Sequence, residues 1–302
     1  MKKRNALLRR EIPLHLMMIP GVVVLFIFNY IPLGGIIIAF QDFNPARGLF
    51  GDNPWIGLEN FRYVFSLPNT GRVFANTLII AVLKIVIGTA VPIVVSLLLN
   101  ECRNVAAKRT IQTMIYFPYF ISWIILSGVL VDILSPTDGL VNDLVKAFGG
   151  EPIYFLGDNK YFQGTLVVSD VWRNFGYNSV VYLAAITGID MTLYEAASID
   201  GANRWQQTWH VTLPGMSTIV ILMVILNLGN LLNAGFDQVF NLYSPAVYET
   251  GDIIDTMVYR MGLEQAKFGP STAVGLLKSV VSFLLISSAY LIAYKKFDYK
   301  VF

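Results

Sequence analysis

Six long apolar runs punctuate the chain: Leu14–Phe40, Ala75–Leu99, Met114–Leu134, Thr165–Ile186, Ser217–Phe236 and Thr272–Tyr294. Each reaches the roughly 20 residues that a helix needs to cross a bilayer. The pattern predicts an all-α polytopic membrane protein with six transmembrane helices and both termini on one side. The fourth run is the most interrupted, by Asp170, Trp172 and Arg173. Between the fourth and fifth runs lies one long polar segment, residues 187–214, and it reads as folded. Leu193–Asp200 is helix-permissive, with Tyr194, Glu195, Ala196 and Ala197 followed by Gly201, which suits a helix C-terminus or a tight turn. Asn203–Thr212 resumes a helical pattern, and Leu213-Pro214 marks a turn into the next apolar run. The expectation is a short helix, a bend, and a second short helix.

Composition agrees: 55% of residues are hydrophobic and 14% charged, which is a membrane composition and not that of a soluble globule. A net charge of +2 is too small to point to nucleic acid. The single cysteine, Cys102, excludes an internal disulfide, and His15, His210 and Cys102 are too scattered for a metal cluster. The basic start, with Lys2, Lys3, Arg4, Arg9 and Arg10, is followed by a run too long for a cleaved signal peptide. A retained first span is expected. Arg103, Lys108, Arg109, Arg204, Lys295, Lys296 and Lys300 fall on the same side as that start. The opposite loops hold Asp138, Asp143, Glu151, Asp158, Glu249, Asp252, Asp255 and Glu264, together with a few bases. The positive-inside rule then places both termini and residues 187–214 in the cytoplasm. The outer loops, Gln41–Arg72, Ser135–Phe162 and Asp237–Ser271, are too short for separate domains but long enough to form a rim. With no internal repeat, residues 1–302 read as a single transmembrane domain.

No energy-converting chemistry is visible. Gly275-Leu276-Leu277-Lys278-Ser279 has neither the spacing nor the setting of a phosphate loop, and no Gly-x-Ser-x-Gly elbow is present. A pump built on this chain needs its ATPase on another subunit. A membrane-embedded enzyme would need a convergent catalytic set, which the two histidines do not supply. An ion-coupled secondary transporter is the alternative class, but its inverted repeats and broken helices are not evident.

The polar segment resembles the "EAA" loop of ATP-binding-cassette importer permeases. Glu195-Ala196-Ala197, Gly201 and Leu213-Pro214 match that signature position by position, over about twenty residues. The bland reading is an amphipathic helix resting on the membrane. FNYIPLGGIIIAFQDFNP (Phe28–Pro45), SLLLNE (Ser96–Glu101), QTMIYFPYFISW (Gln112–Trp123) and YLAAITGIDMTLYEAASIDGANR (Tyr182–Arg204) extend the resemblance to the carbohydrate-uptake branch, and within it to LplB-like permeases. The resemblance implies a type I importer in a bacterial cell membrane. Two different permeases form the pore, and two copies of a cytoplasmic ATPase, carrying the ATP and Mg, bind their loops. An extracellular binding protein, a lipid-anchored one, delivers a carbohydrate, and no cofactor is held by this chain. Ala196 and Ala197 would let the loop helix sit deep in a groove of the ATPase, with Glu195 and Asp200 offering carboxylates to basic residues there.

A substrate path should show as polar residues within the spans. Asn227, Asn230, Asn233 and Asp237 fall on about a third of the circumference of one helix, and Asp170, Asn174 and Tyr177 share a face of another. In similar maltodextrin permeases an Asn, a Gly and a Tyr at positions matching Asp170, Asn174 and Tyr177 contact sugar. A pair matching Asn230 and Asn233 contributes too, as does a Tyr matching Tyr119. Each of these side chains has packing between helices as its alternative, since membrane asparagines serve both roles. Lys84, Asp132 and Lys278 should avoid lipid by pairing with one another, or with Asp170 and Arg173.

Overall fold

The computed structural model describes the backbone of residues 2–297 and the side chains of residues 13–291. The side chains of the terminal bases Lys2, Lys3, Arg4, Arg9, Arg10, Lys295 and Lys296, and all of Lys300, lie outside the described residues. In chain order the α-helices of six residues or more are α1 (Lys2–Leu25), α2 (Glu59–Ser66), α3 (Thr70–Glu101), α4 (Val105–Tyr116), α5 (Trp123–Ile133), α6 (Leu140–Ala147), α7 (Asn159–Thr187) and α8 (Met191–Ile199). They continue with α9 (Arg204–Gly229), α10 (Phe236–Leu242), α11 (Ile254–Tyr259) and α12 (Phe268–Phe297). Among the described residues the extended structure is a single antiparallel bridge, Gln41 with Trp55.

Four helical stretches are by themselves long and apolar enough to cross a membrane: Pro13–Phe40, Thr70–Glu101, Arg204–Gly229 and Phe268–Leu291. Two bent pairs, Val105–Phe120 with Trp123–Ile133 and Asn159–Thr187 with Met191–Ile199, bring the number to six. Four expected details need correction. The third run, 114–134, is not one helix: it turns by 102°. Pro118 sits in a short 3-10 turn, Ile121 is extended, and the Ser122 hydroxyl accepts the Ile125 N–H to start a new helix. Leu213-Pro214 makes no turn. Pro214 lies inside the continuous α9, five residues of which, Thr208–Thr212, form a wide π turn. Proline lacks an N–H and its ring collides with the carbonyl four residues back, here that of His210; widening the preceding turn relieves the collision. Pro32 is handled the same way, with π turn Phe26–Tyr30 ahead of it. Finally, the fifth helix does not reach Phe236. It ends at Gly229, residues 230–235 unwind, and Asn227, Asn230, Asn233 and Asp237 therefore do not share one helical face.

By backbone contacts the chain divides into two units, which we describe separately. The first comprises the described residues up to 67 with residues 258–276. Here Phe40 stacks on Trp55, Asn60 donates to the carbonyls of Ala39 and Gln41, and the Lys267 ammonium donates to the Tyr63 hydroxyl. These bonds fold the loop after the first span back on that span's end.

The second unit comprises residues 68–257 and the described residues from 277 onward. Its spine is α3 packed along α7. At Gly176 of α7 the backbone of α4 passes so close that a Cβ would lie 1.9 Å from the Ile115 carbonyl oxygen, so only glycine fits. One core joins Ile80, Phe162, Leu166, Ala234, Val239, Leu242, Val247 and Ile253; a second joins Tyr182, Ile186 and Met216. Many large apolar side chains, such as Val86 on α3, Val168 on α7 and Phe283 on α12, remain exposed on the chain itself. That is the surface that lipid or a partner helix solvates.

Candidate functional site

Three groups of side chains in the second unit hold the residues singled out by sequence. The first is the polar segment after α7. Asp190 caps α8 by accepting the Thr192 N–H at 2.9 Å, and that bond with the Thr192 hydroxyl's holds its carboxyl below the usual carboxylate range. α8 ends in a Schellman turn: Ala202 N–H bonds the Ala197 carbonyl, Gly201 N–H bonds that of Ser198, and Gly201 takes φ +77°. Asn203 and Gln206 form a reciprocal capping box that starts α9. Gln207 then ties the two helices by donating to Ser198 and to the Ala202 carbonyl, and Tyr194 bonds Thr212. Arg204 pairs with Glu101 at the end of α3. The short helix, bend and second helix expected from sequence are thus present, and the segment is braced from both sides. Glu195, Ala196 and Asp200 are exposed, Ala197 is half-buried, and Leu213 and Pro214 begin the apolar part of α9. Apolar side chains project beside them: Ile199 is 86% exposed and Trp205 70%, far more than an isolated soluble surface needs.

The second group lines a cavity of about 320 Å³ between α3, α7 and the unwound end of α9. Asp170, Asn174, Asn227, Asn230 and Asn233 all reach it, so the unwinding that takes the asparagines off a common helix face still delivers them to one space. Two residues not assigned to the path by sequence join them, Lys84 and Asn178. Asn178 was legible in principle: it follows Asn174 by one further i+4 step along α7, so the face begun by 170 and 174 extends to it. The Lys84 ammonium sits 3.5 Å from the Asp170 carboxylate, donates to the Ala234 carbonyl at 2.7 Å, and makes a short bond to the Gln238 amide oxygen. Gln238 in turn donates to Ser169 and to the Leu166 carbonyl. Gly235, at φ +93°, carries the chain around the ammonium; a Cβ there would lie 2.9 Å from it. Of the pairings expected for the embedded charges, Lys84 with Asp170 forms. Lys278 instead pairs with Asp255, and Asp132 is exposed in the last turn of α5.

The third group is aromatic. Tyr177 does not line the cavity: its ring stacks on Tyr119, centroids 3.9 Å apart and planes within 5°. One face of each ring is therefore already covered, and Tyr177 remains 45% exposed. Arg173 lies over Tyr119 and Trp123, 5.5 and 5.1 Å from their centroids.

Chemically, the cavity offers both donors and acceptors from amides beside a compensated ion pair, a setting for hydroxyl-rich ligands. Among the described residues no cluster of His, Cys, Asp and Glu is arranged to hold a metal ion.

Comparison with known proteins places these features. Residues 88–297 match the family of binding-protein-dependent transport system inner membrane components. The chain is 41% identical to the polygalacturonan/rhamnogalacturonan transport system permease YteP of Bacillus subtilis, covering 98% of this chain and 92% of that one. It is 40% identical to LplB of the same organism, over 97% and 92%. Among solved structures it resembles a chain of a bacterial ABC transporter that imports the acidic polysaccharide alginate, with a TM-score of 0.89 and 33% identity over 97% of this chain and 99% of that one.

Proposed function

The chain belongs to the family of binding-protein-dependent transport system inner membrane components, and from that premise we propose that it is one permease of an ATP-driven carbohydrate importer. The cargo is an oligosaccharide or polysaccharide fragment. The chain acts as one transmembrane domain, forms half of the pore with a second permease, and binds no cofactor itself. ATP and Mg sit on two copies of a cytoplasmic ATPase, and an extracellular binding protein delivers the sugar. Relatives that move polygalacturonan and alginate support the cargo class, and one solved alginate transporter was captured with a sugar-loaded periplasmic protein. The positive-inside bias supports cytoplasmic termini and a cytoplasmic segment 187–214.

The observation that carries the coupling role is the build of α8. A short helix capped by Asp190, closed by Gly201 and braced by Gln207 and Arg204 still leaves Glu195, Ala196 and apolar Ile199 and Trp205 uncovered. A rigid knob with an exposed mixed face suits insertion into a groove of another protein. Glu195 and Asp200 give that face its carboxylates, Ala196 and Ala197 its close approach, and Leu213 and Pro214 lead the motion into α9. In the cavity, Asp170, Asn174, Asn227, Asn230 and Asn233 replace the water that sugar hydroxyls shed, with Tyr119 and Tyr177 as a neighbouring aromatic surface.

The test is a pair of substitutions on that knob. Glu195→Ala removes the exposed carboxylate. Gly201→Val puts a β-branched side chain at positive φ, costing about 1–2 kcal/mol locally and distorting the turn. Both proteins should insert and pair with the second permease, but lose copurifying ATPase and ATP-driven uptake. Normal ATPase capture and normal uptake in both variants would remove this segment from the coupling role.

A further inference from the structure

Among the described residues, three cations lie well inside the membrane-spanning part of the second unit, and they are not equivalent. Lys84 is paired with Asp170 and Lys278 with Asp255. Arg173 is half-buried on α7, yet among the described residues none of its contacts is a carboxylate. Its Nε donates to the Ile121 carbonyl at 3.0 Å, and one terminal nitrogen donates to the Asn174 side-chain oxygen at 3.2 Å. A guanidinium has five N–H donors, so these two bonds leave most of its fork unengaged. The faces of Tyr119 and Trp123 stabilise the cation in part. Asp170, one turn earlier on the same helix, is committed to Lys84.

An unpaired cation within a span is costly to keep, and the usual reason for keeping one is a ligand of opposite charge. The planar fork of arginine matches a carboxylate in a two-bond geometry that an ammonium cannot reproduce. The position is also apt: Asn174, which Arg173 bonds, lines the polar cavity, and Tyr177, one turn further along α7, presents the uncovered side of a ring. Arg173 and Tyr177 flank the cavity without lining it, and the hydrogen bond to Asn174 is what links the guanidinium to that space.

We propose that Arg173 recognises a carboxylate on the carbohydrate in transit, so that the substrate class is an acidic oligosaccharide containing uronic acid units. This rests on the carbohydrate reading above and adds the charge of the cargo. The two bonds to Ile121 and Asn174 hold the fork in place, leaving the free edge for the substrate. The compensated Lys84–Asp170 pair contributes no net charge of its own to this discrimination.

The experiment uses the full complex of both permeases, ATPase and binding protein in proteoliposomes. Three probes are compared: tetragalacturonate, its methyl ester and the neutral maltotetraose. The wild type should take up the acid in preference to the ester. Arg173→Gln should lower uptake of the acid by on the order of 10- to 100-fold, the range for one lost charge-assisted bond, while changing the ester little. Arg173→Lys, which keeps charge but not the fork, should fall between them. The acid-to-ester ratio is the informative readout, because a residue that merely braces the break at Ile121 would lower all probes together. Equal losses for acid and ester in Arg173→Gln, or an unchanged ratio, would overturn the proposal and leave the carbohydrate reading intact. Failure of the wild type to move any of the three probes would instead overturn the carbohydrate reading, and this proposal with it.

Discussion

Replacing Lys84 by methionine tests whether the ion pair at the cavity wall holds α3, α7 and the unwound end of α9 together. Methionine keeps the length and apolar stem of lysine, so packing changes little, but three acceptors lose their partner at once: Asp170, Gln238 and the Ala234 carbonyl. Breaking a buried pair by removing one partner costs about 3–5 kcal/mol. The lysine side chain is 10% exposed and the aspartate 23%, so water entering from the cavity relieves part of that cost for Asp170. A loss of about 2–3 kcal/mol is expected, since the Ala234 carbonyl also gives up a charge-assisted bond. Asp170→Asn, made alone, leaves the ammonium beside a neutral amide and should cost about 1–2 kcal/mol. The double variant removes both charges, so it should be less destabilised than the sum, with a coupling energy of about 1 kcal/mol or more. Unfolding in mixed detergent micelles, titrated with a denaturing detergent, gives the three differences. Strict additivity, within about 0.3 kcal/mol, would show that the two charges do not interact and would refute the reasoning.

Gly176→Ala should destabilise the α4–α7 crossing by about 3 kcal/mol, the upper end for overpacking, because the obstacle is the backbone carbonyl of Ile115. Gly164→Ala on the same helix meets nothing within 4 Å and should be neutral or slightly stabilising, so equal effects of the two substitutions in the same unfolding assay would refute the crossing geometry. Asn178→Leu and Asn230→Leu should each lower uptake several-fold to tenfold, the worth of about 0.5–1.5 kcal/mol, with assembly and basal ATP hydrolysis intact. Loss of assembly in those variants would make the asparagines packing contacts instead.

The apolar runs made the helical membrane class legible, because bilayer length and hydropathy act on whole segments and average over single residues. The polar segment was legible for another reason: its caps are local, and Asp190, Gly201 and Asn203 each act within a few positions of themselves. What failed was helical periodicity carried past Gly229, and an aromatic assigned to the cavity from its helix face alone. Asn230 and Asn233 were projected onto a helix that stops at Gly229, and Tyr177 was projected onto a cavity face that Asn178 occupies. Leu213-Pro214 was read as a turn, yet a π turn just before it keeps the helix continuous. Such breaks depend on where a carbonyl finds a distant partner, as Ala234 finds Lys84 from 150 positions away, and no local pattern records that.

The two helices that carry the cavity also carry the polar segment, and this shapes how the proposed importer would work. α9 is 26 residues of unbroken helix, a rod of about 39 Å at the usual rise. One end is tied to α8 through Gln207, and the other unwinds at Asn230 into the cavity. α7 follows a parallel logic: Asp170 and Asn174 line the cavity, and the helix then runs to Thr187, three residues before α8 begins its own course after a 68° bend. Near the segment the two rods are locked by Met216 against Tyr182 and Ile186; near the cavity the chain beyond α9 is tied to α7 by Gln238 of α10 on Leu166, and to α3 by Lys84 on the Ala234 carbonyl. A shift of α8 therefore reaches the amides along two packed helices, with no independent hinge domain between. The compliant points are the π turn at Thr208–Thr212 and the unwound residues 230–235. Those residues are also the ones that hold Asn230 and Asn233. In the proposed importer, a stroke of α8 would therefore be converted into a change of cavity shape where the regular helix of α9 has ended.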